Sequence, residues 1–84
     1  MNKLTEDEIF DTLKDIIIKQ LAVKDESIVK KEANFTKDLK ADSLDVVELI
    51  MVFEEQFDLT IEDEVAGKMV TVQDVVTYIV DNTD

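Results

Sequence analysis

The chain contains neither cysteine nor histidine. The first absence rules out a disulfide framework, a Cys-based zinc site and a thiol nucleophile. The second removes the commonest general base and the commonest metal ligand, so no catalytic triad can be assembled. There is one glycine, Gly67, and no proline. A lone glycine cannot build a phosphate-cradling loop, and nothing marks a flexible linker between domains. No apolar run approaches the roughly 20 residues that cross a bilayer. The opening Met1-Asn-Lys-Leu-Thr-Glu-Asp-Glu8 has the pattern of neither a signal peptide nor an Arg-rich transit peptide. The expectation is a cytoplasmic chain with no stable membrane association.

What the chain has in quantity is acid. Its 84 residues carry a net charge of −12, and 45% of them are apolar. That apolar share suits one small globular domain over residues 1–84 with a modest core. The charge is uneven: residues 1–37 hold 8 acids and 7 Lys, whereas residues 38–64 hold 10 acids against Lys40 alone. A central stretch of that sign disfavours nucleic acid and anionic membranes and favours basic protein surfaces.

Periodicity predicts an all-α fold. Thr5 with Glu8 forms a capping-box signal, and Ile9, Leu13, Ile16, Ile17 and Leu21 then recur at helical spacing to about Gln20. From Ala22 to Ala41 the pattern is lost. Ile28, Val29, Phe35 and Leu39 are expected to anchor this long connection to the bundle, with a short helical turn near Ser27. A second helix runs from Ser43 or Leu44 to about Phe57. The acidic turn Glu62-Asp-Glu64 leads into a short helix ending near Gly67, a candidate C-cap. Thr71 with Asp74 repeats the start signal, and Val72, Val75, Val76, Ile79 and Val80 give the last helix its apolar face. Spacing and cap outweigh the β-branched content, which would also suit a strand. The architecture expected is a four-helix bundle with a long first loop and a short third helix.

Residues 38–58 organise the chain. At about 100° per residue, Val46, Leu49, Ile50, Phe53 and Phe57 share the face expected to enter the core. Leu44, Val47 and Met51 fall on the other side, among Glu48, Glu54, Glu55 and Asp58. Either another helix covers that second stripe, or it is a docking surface with an apolar centre and an acidic rim.

No metal site is expected. Calcium loops started at Asp38 or at Asp58 fail on the required glycine and on the closing glutamate. The remaining chemical group is Ser43. It could cap the second helix, the commonest use of serine at such a place. Alternatively Asp42 caps, and the freed hydroxyl could hold a phosphate beside the first-turn amides.

Asp38-Leu-Lys-Ala-Asp-Ser-Leu-Asp45, with Val46-Val-Glu-Leu-Ile-Met51 and Glu54-Glu-Gln-Phe57, resembles the acyl carrier proteins of bacterial type II fatty acid synthesis. The hallmark is Asp42-Ser43-Leu44, and the likeness extends through Ile61-Glu-Asp-Glu64 and Thr71-Val-Gln-Asp74 over nearly the whole chain. The resemblance implies that Ser43 is the attachment point of 4′-phosphopantetheine. A phosphopantetheinyl transferase (holo-acyl carrier protein synthase) would deliver the group from coenzyme A. Its thiol would carry acyl chains as thioesters, in a monomeric carrier that is not an enzyme. Fatty acid synthesis enzymes with basic patches would dock on Asp42, Leu44, Asp45, Val47, Glu48, Met51, Glu54 and Glu55. The acyl chain would lie between the second helix and its neighbours, with Phe53, Met69 and Val75 as the expected lining. Two departures stand out: many family members have Gly where this chain has Lys40, and Pro where it has Glu62. The alternatives are a carrier for a dedicated polyketide or other secondary-metabolite pathway, and an acidic helical protein-binding module whose Ser43 only caps.

Overall fold

The computed structural model describes residues 5–82, so the Met1–Leu4 part of the N-terminal reading lies outside it. These residues form four α-helices: α1 (Glu6–Leu21), α2 (Ser43–Phe57), α3 (Asp63–Ala66) and α4 (Val72–Asn82). A single 3-10 turn, Glu26–Ile28, interrupts the long first connection.

Helix starts coincide with caps written in the sequence. The Thr5 hydroxyl accepts the Glu8 N–H at 3.1 Å, and Glu8 Oε1 accepts the Thr5 N–H at 2.9 Å. Thr71 and Asp74 repeat this reciprocal pair ahead of α4, at 3.0 and 3.2 Å. α4 runs two residues past the expected Val80. Its last turn is held by the Asn82 side-chain amide, which donates to the Tyr78 carbonyl at 2.7 Å. α1 and α2 end in left-handed residues, Ala22 and Asp58, whose N–H groups turn back onto the Ile18 and Glu54 carbonyls. Gly67 caps α3 in a right-handed conformation with φ −65, so a glycine's access to positive φ is not what the position uses. A Cβ there would meet only ordinary contacts, the nearest being the Asp63 carbonyl at 3.5 Å.

The core is one stripe from each long helix. Ile9, Leu13 and Ile17 of α1, spaced four apart, are fully buried. They meet Leu49, Ile50 and Phe53 of α2 and Val72, Val75, Val76 and Ile79 of α4. α1 packs on both partners. Ile16, Leu21, Val46, Phe57 and Val80 pack half-buried against this core.

The long connection folds onto the bundle through Val29, Phe35 and Leu39, all buried. Ile28 does not: it is 38% exposed. Adjacent residues on a tight turn point to different sides, so only one of Ile28 and Val29 can face inward. Ala33 and Ala41 are also buried, a contribution too small in side chain to register as a hydrophobic signal. The connection is then stitched to the α3–α4 link as a short antiparallel pairing. Phe35 N–H donates to the Val70 carbonyl and Val72 N–H to the Ala33 carbonyl, each at 3.0 Å. Between buried Leu39 and Ala41 the chain must turn sharply, and Lys40 does so at φ 60. That conformation delivers Asp42 to the start of α2.

Candidate functional site

The residue that caps α2 is Asp42. Its carboxylate accepts the Asp45 N–H at 2.9 Å, and the Asp42 N–H donates to the Asp45 carboxylate at 3.2 Å. Ser43 therefore sits one position inside the helix, exposed, with its hydroxyl making no hydrogen bond. Its N–H and that of Leu44 belong to the first turn, where no carbonyl within the helix can pair them. An anionic group esterified to the Ser43 oxygen would lie beside these donors and the positive end of a 15-residue helix. The chain has one other serine, Ser27. Its hydroxyl donates to the Asp25 carboxylate at 2.6 Å, and this bond, with that from the Ser27 N–H, holds the Asp25 carboxyl below its ordinary range.

Beside Ser43 opens a groove of about 500 Å³. It is lined by Val46, Val47 and Ile50 of α2, by Asp63 and Ala66 of α3 with its cap Gly67, and by Phe35, Met69 and Val70. Of Phe53, Met69 and Val75, the expected acyl lining, Met69 borders this groove. Phe53 and Val75 are fully buried in the core and do not reach this groove. A second hollow of about 580 Å³, between Phe10, Lys14 and Lys31, is more open and lies away from Ser43. Lys31 is occupied there by Asp7 and Glu6, and its hydrogen bond to Asp7 raises its pKa above the usual lysine range.

The outer face of α2 keeps its second apolar stripe uncovered. Leu44 is 74% exposed, Met51 57% and Val47 54%. Among the described residues no helix lies over them, which removes the covering-helix reading. Val70, which also lines the groove, is 49% exposed.

The acids around this face divide by what their carboxylates do. Glu48 and Glu55 are exposed and make no hydrogen bond or ion pair. Asp42 and Asp45 are spent on each other's backbone. Glu54, half-buried, turns inward and accepts the Ile61 N–H at 2.7 Å. Among the described residues the ion pairs are Lys19–Asp15, Lys31–Glu6 and Lys31–Asp7, all within the first helix and connection. No lysine pairs with the acids of residues 38–64, and no three carboxylates converge as a metal site among the described residues.

The site lies within a recognised family pattern. A family profile described as "Phosphopantetheine attachment site" matches residues 11–79. An acyl carrier protein from Picosynechococcus is 54% identical over 76 residues, covering 90% of this chain and 93% of that protein. One from Bdellovibrio bacteriovorus is 58% identical over 71 residues, covering 84% and 90%. The solution structure of a candidate acyl carrier protein from Anaplasma phagocytophilum superposes with a TM-score of 0.86 at 37% identity, covering 100% of this chain and 98% of the other. With its free Ser43 hydroxyl at the head of α2 and the adjoining groove, the chain belongs to the phosphopantetheine-attachment family, among the acyl carrier proteins.

Proposed function

We propose that this chain shuttles fatty acyl groups, held as thioesters on a 4′-phosphopantetheine arm at Ser43, between the enzymes of fatty acid biosynthesis in the cytoplasm. The carrying observation is that Asp42, not Ser43, caps α2, leaving the Ser43 hydroxyl exposed and unbonded at the mouth of an apolar groove. When bound, the arm supplies the thiol that a chain without cysteine lacks. The chain's own residues supply the rest. First-turn amides of α2 face the phosphate position, and Val46, Ile50, Ala66 and Met69 offer an acyl chain a surface out of water.

Docking is assigned to the outer face of α2. Leu44, Val47 and Met51 are the apolar contacts. The unpaired Glu48 and Glu55 draw in basic surfaces, among them that of the phosphopantetheinyl transferase that loads Ser43 from coenzyme A. Intact-mass measurement on protein expressed in bacteria tests the reading, since phosphopantetheine adds about 340 Da by its composition. An unmodified mass in a host with an active transferase would leave a protein-binding module in place of a carrier.

A further inference from the structure

Glu54, grouped on the helical wheel with the exposed Glu48 and Glu55, makes a part-buried bond that neither of them makes. Glu54 closes α2 twice over. Its carbonyl accepts the Asp58 and Leu59 N–H groups, and its carboxylate reaches seven residues on to the Ile61 N–H at 2.7 Å. Ile61 is buried, and the Thr60 carbonyl before it accepts the Tyr78 hydroxyl at 3.1 Å. Two residues later α3 begins, with no side-chain cap from Glu62 and no buried residue of its own. Yet Asp63 and Ala66 of α3 and its cap Gly67 line the same groove as Val46 and Ile50. Val65 and Ala66 pack half-buried against the core, and the chain entering α3 is fixed at Ile61 and Thr60.

We propose that Glu54 is a positioning residue for the acyl groove, setting the place of α3 through the Ile61 N–H, and is not a docking contact. The groove's use for acyl chains rests on the carrier function proposed above; the tie between Glu54 and α3 does not. Leaving the part-buried Ile61 amide without an acceptor is costly, and a carboxylate or an amide oxygen can fill that place. The requirement at position 54 is an acceptor at the reach of a glutamate side chain, whatever its charge.

Two single variants of the full chain separate reach from charge. Glu54→Gln keeps the reach and an acceptor oxygen but loses the charge; Glu54→Asp keeps the charge and loses the reach. Amide exchange on the unmodified proteins should show Ile61, Ala66 and Gly67, whose N–H groups are hydrogen-bonded, protected as in wild type for Glu54→Gln, and exchanging roughly tenfold faster for Glu54→Asp. On protein loaded with an octanoyl thioester, hydroxylamine should cleave the thioester at the wild-type rate in Glu54→Gln and several-fold faster in Glu54→Asp. Transferase affinity and its salt dependence should be unchanged in Glu54→Gln. Any other order overturns the proposal: both variants like wild type, both impaired alike, or Glu54→Gln weakened in docking with a shallower salt slope. The exchange result stands even if Ser43 accepts no phosphopantetheine, so failure of the carrier reading and failure of this tie are told apart.

Discussion

The Asp42 carboxylate accepts the Asp45 N–H at 2.9 Å, and Asp45 answers with its own carboxylate on the Asp42 N–H at 3.2 Å. This reciprocal cap lets a serine stand at the head of a helix without being consumed by it. Ser43→Ala should therefore unfold within about 0.5 kcal/mol of wild type, while losing all carrier activity. Asp42→Ala should cost about 1 kcal/mol, because it orphans the Asp45 N–H. Urea melts of both variants check this. A Ser43→Ala loss as large as that of Asp42→Ala would mean the serine hydroxyl shares in the cap.

Docking should respond differently to charge and to apolar contact. Glu48→Lys reverses an exposed, unpaired charge. It should weaken binding to the phosphopantetheinyl transferase and flatten its salt dependence, with little effect on folding. Met51→Ala removes an exposed side chain from the same face and should weaken binding with the salt slope nearly intact. Calorimetric titrations at two ionic strengths measure both. Wild-type affinity in both variants would place the interface elsewhere.

Lys40 occupies the left-handed region at φ 60, where a side chain costs roughly 1–2 kcal/mol. The glycine found there in many family members removes that cost but adds freedom to the unfolded chain, worth roughly 0.5–1 kcal/mol. Lys40→Gly should therefore stabilise by about 0.5–1 kcal/mol, a rise of several degrees in Tm for a domain of this size. Lys40→Ala, which loses the same charge and keeps the strain, should not gain. Thermal melts of the pair distinguish backbone relief from charge removal.

The unpaired acids of residues 38–64 should make stability depend on salt. Ten acids and one Lys lie within these residues, and no lysine bridges to them among the described residues. Folding brings like charges together. Raising ionic strength from 0.01 to 0.15 M shortens the screening length from about 30 to about 8 Å, so Tm at pH 7 should rise with sodium chloride. A melting temperature indifferent to salt would show that the acids do not repel one another in the fold.

Helix starts and the two faces of α2 were readable because their causes are local. Thr5 with Glu8, and Thr71 with Asp74, are bonds spanning three residues. The stripes on α2 follow from its period alone. The groove was not readable, because Phe35, Ala66, Met69 and Val70 come together only through the pairing of the long connection with the α3–α4 link. Periodicity also names a face without saying which residues sit at its edge. Phe53 and Val75 lie at the centre of theirs and stay in the core, while Val46 and Ile50, read as core, border the groove. Glu54 shows the same limit for charge. Its place on the wheel groups it with Glu48 and Glu55, and only the fold brings Ile61 within its reach.

The most direct measurement is the location of the adduct. Trypsin cleaves after Lys40 and Lys68, releasing residues 41–68, which contain Ser43 and no other serine. Tandem mass spectrometry of protein expressed with an active transferase should find the added mass of about 340 Da on this peptide, at Ser43, and nowhere in Ser43→Ala. An adduct on the peptide bearing Ser27, or one that survives Ser43→Ala, would contradict the assignment of the free hydroxyl at the head of α2.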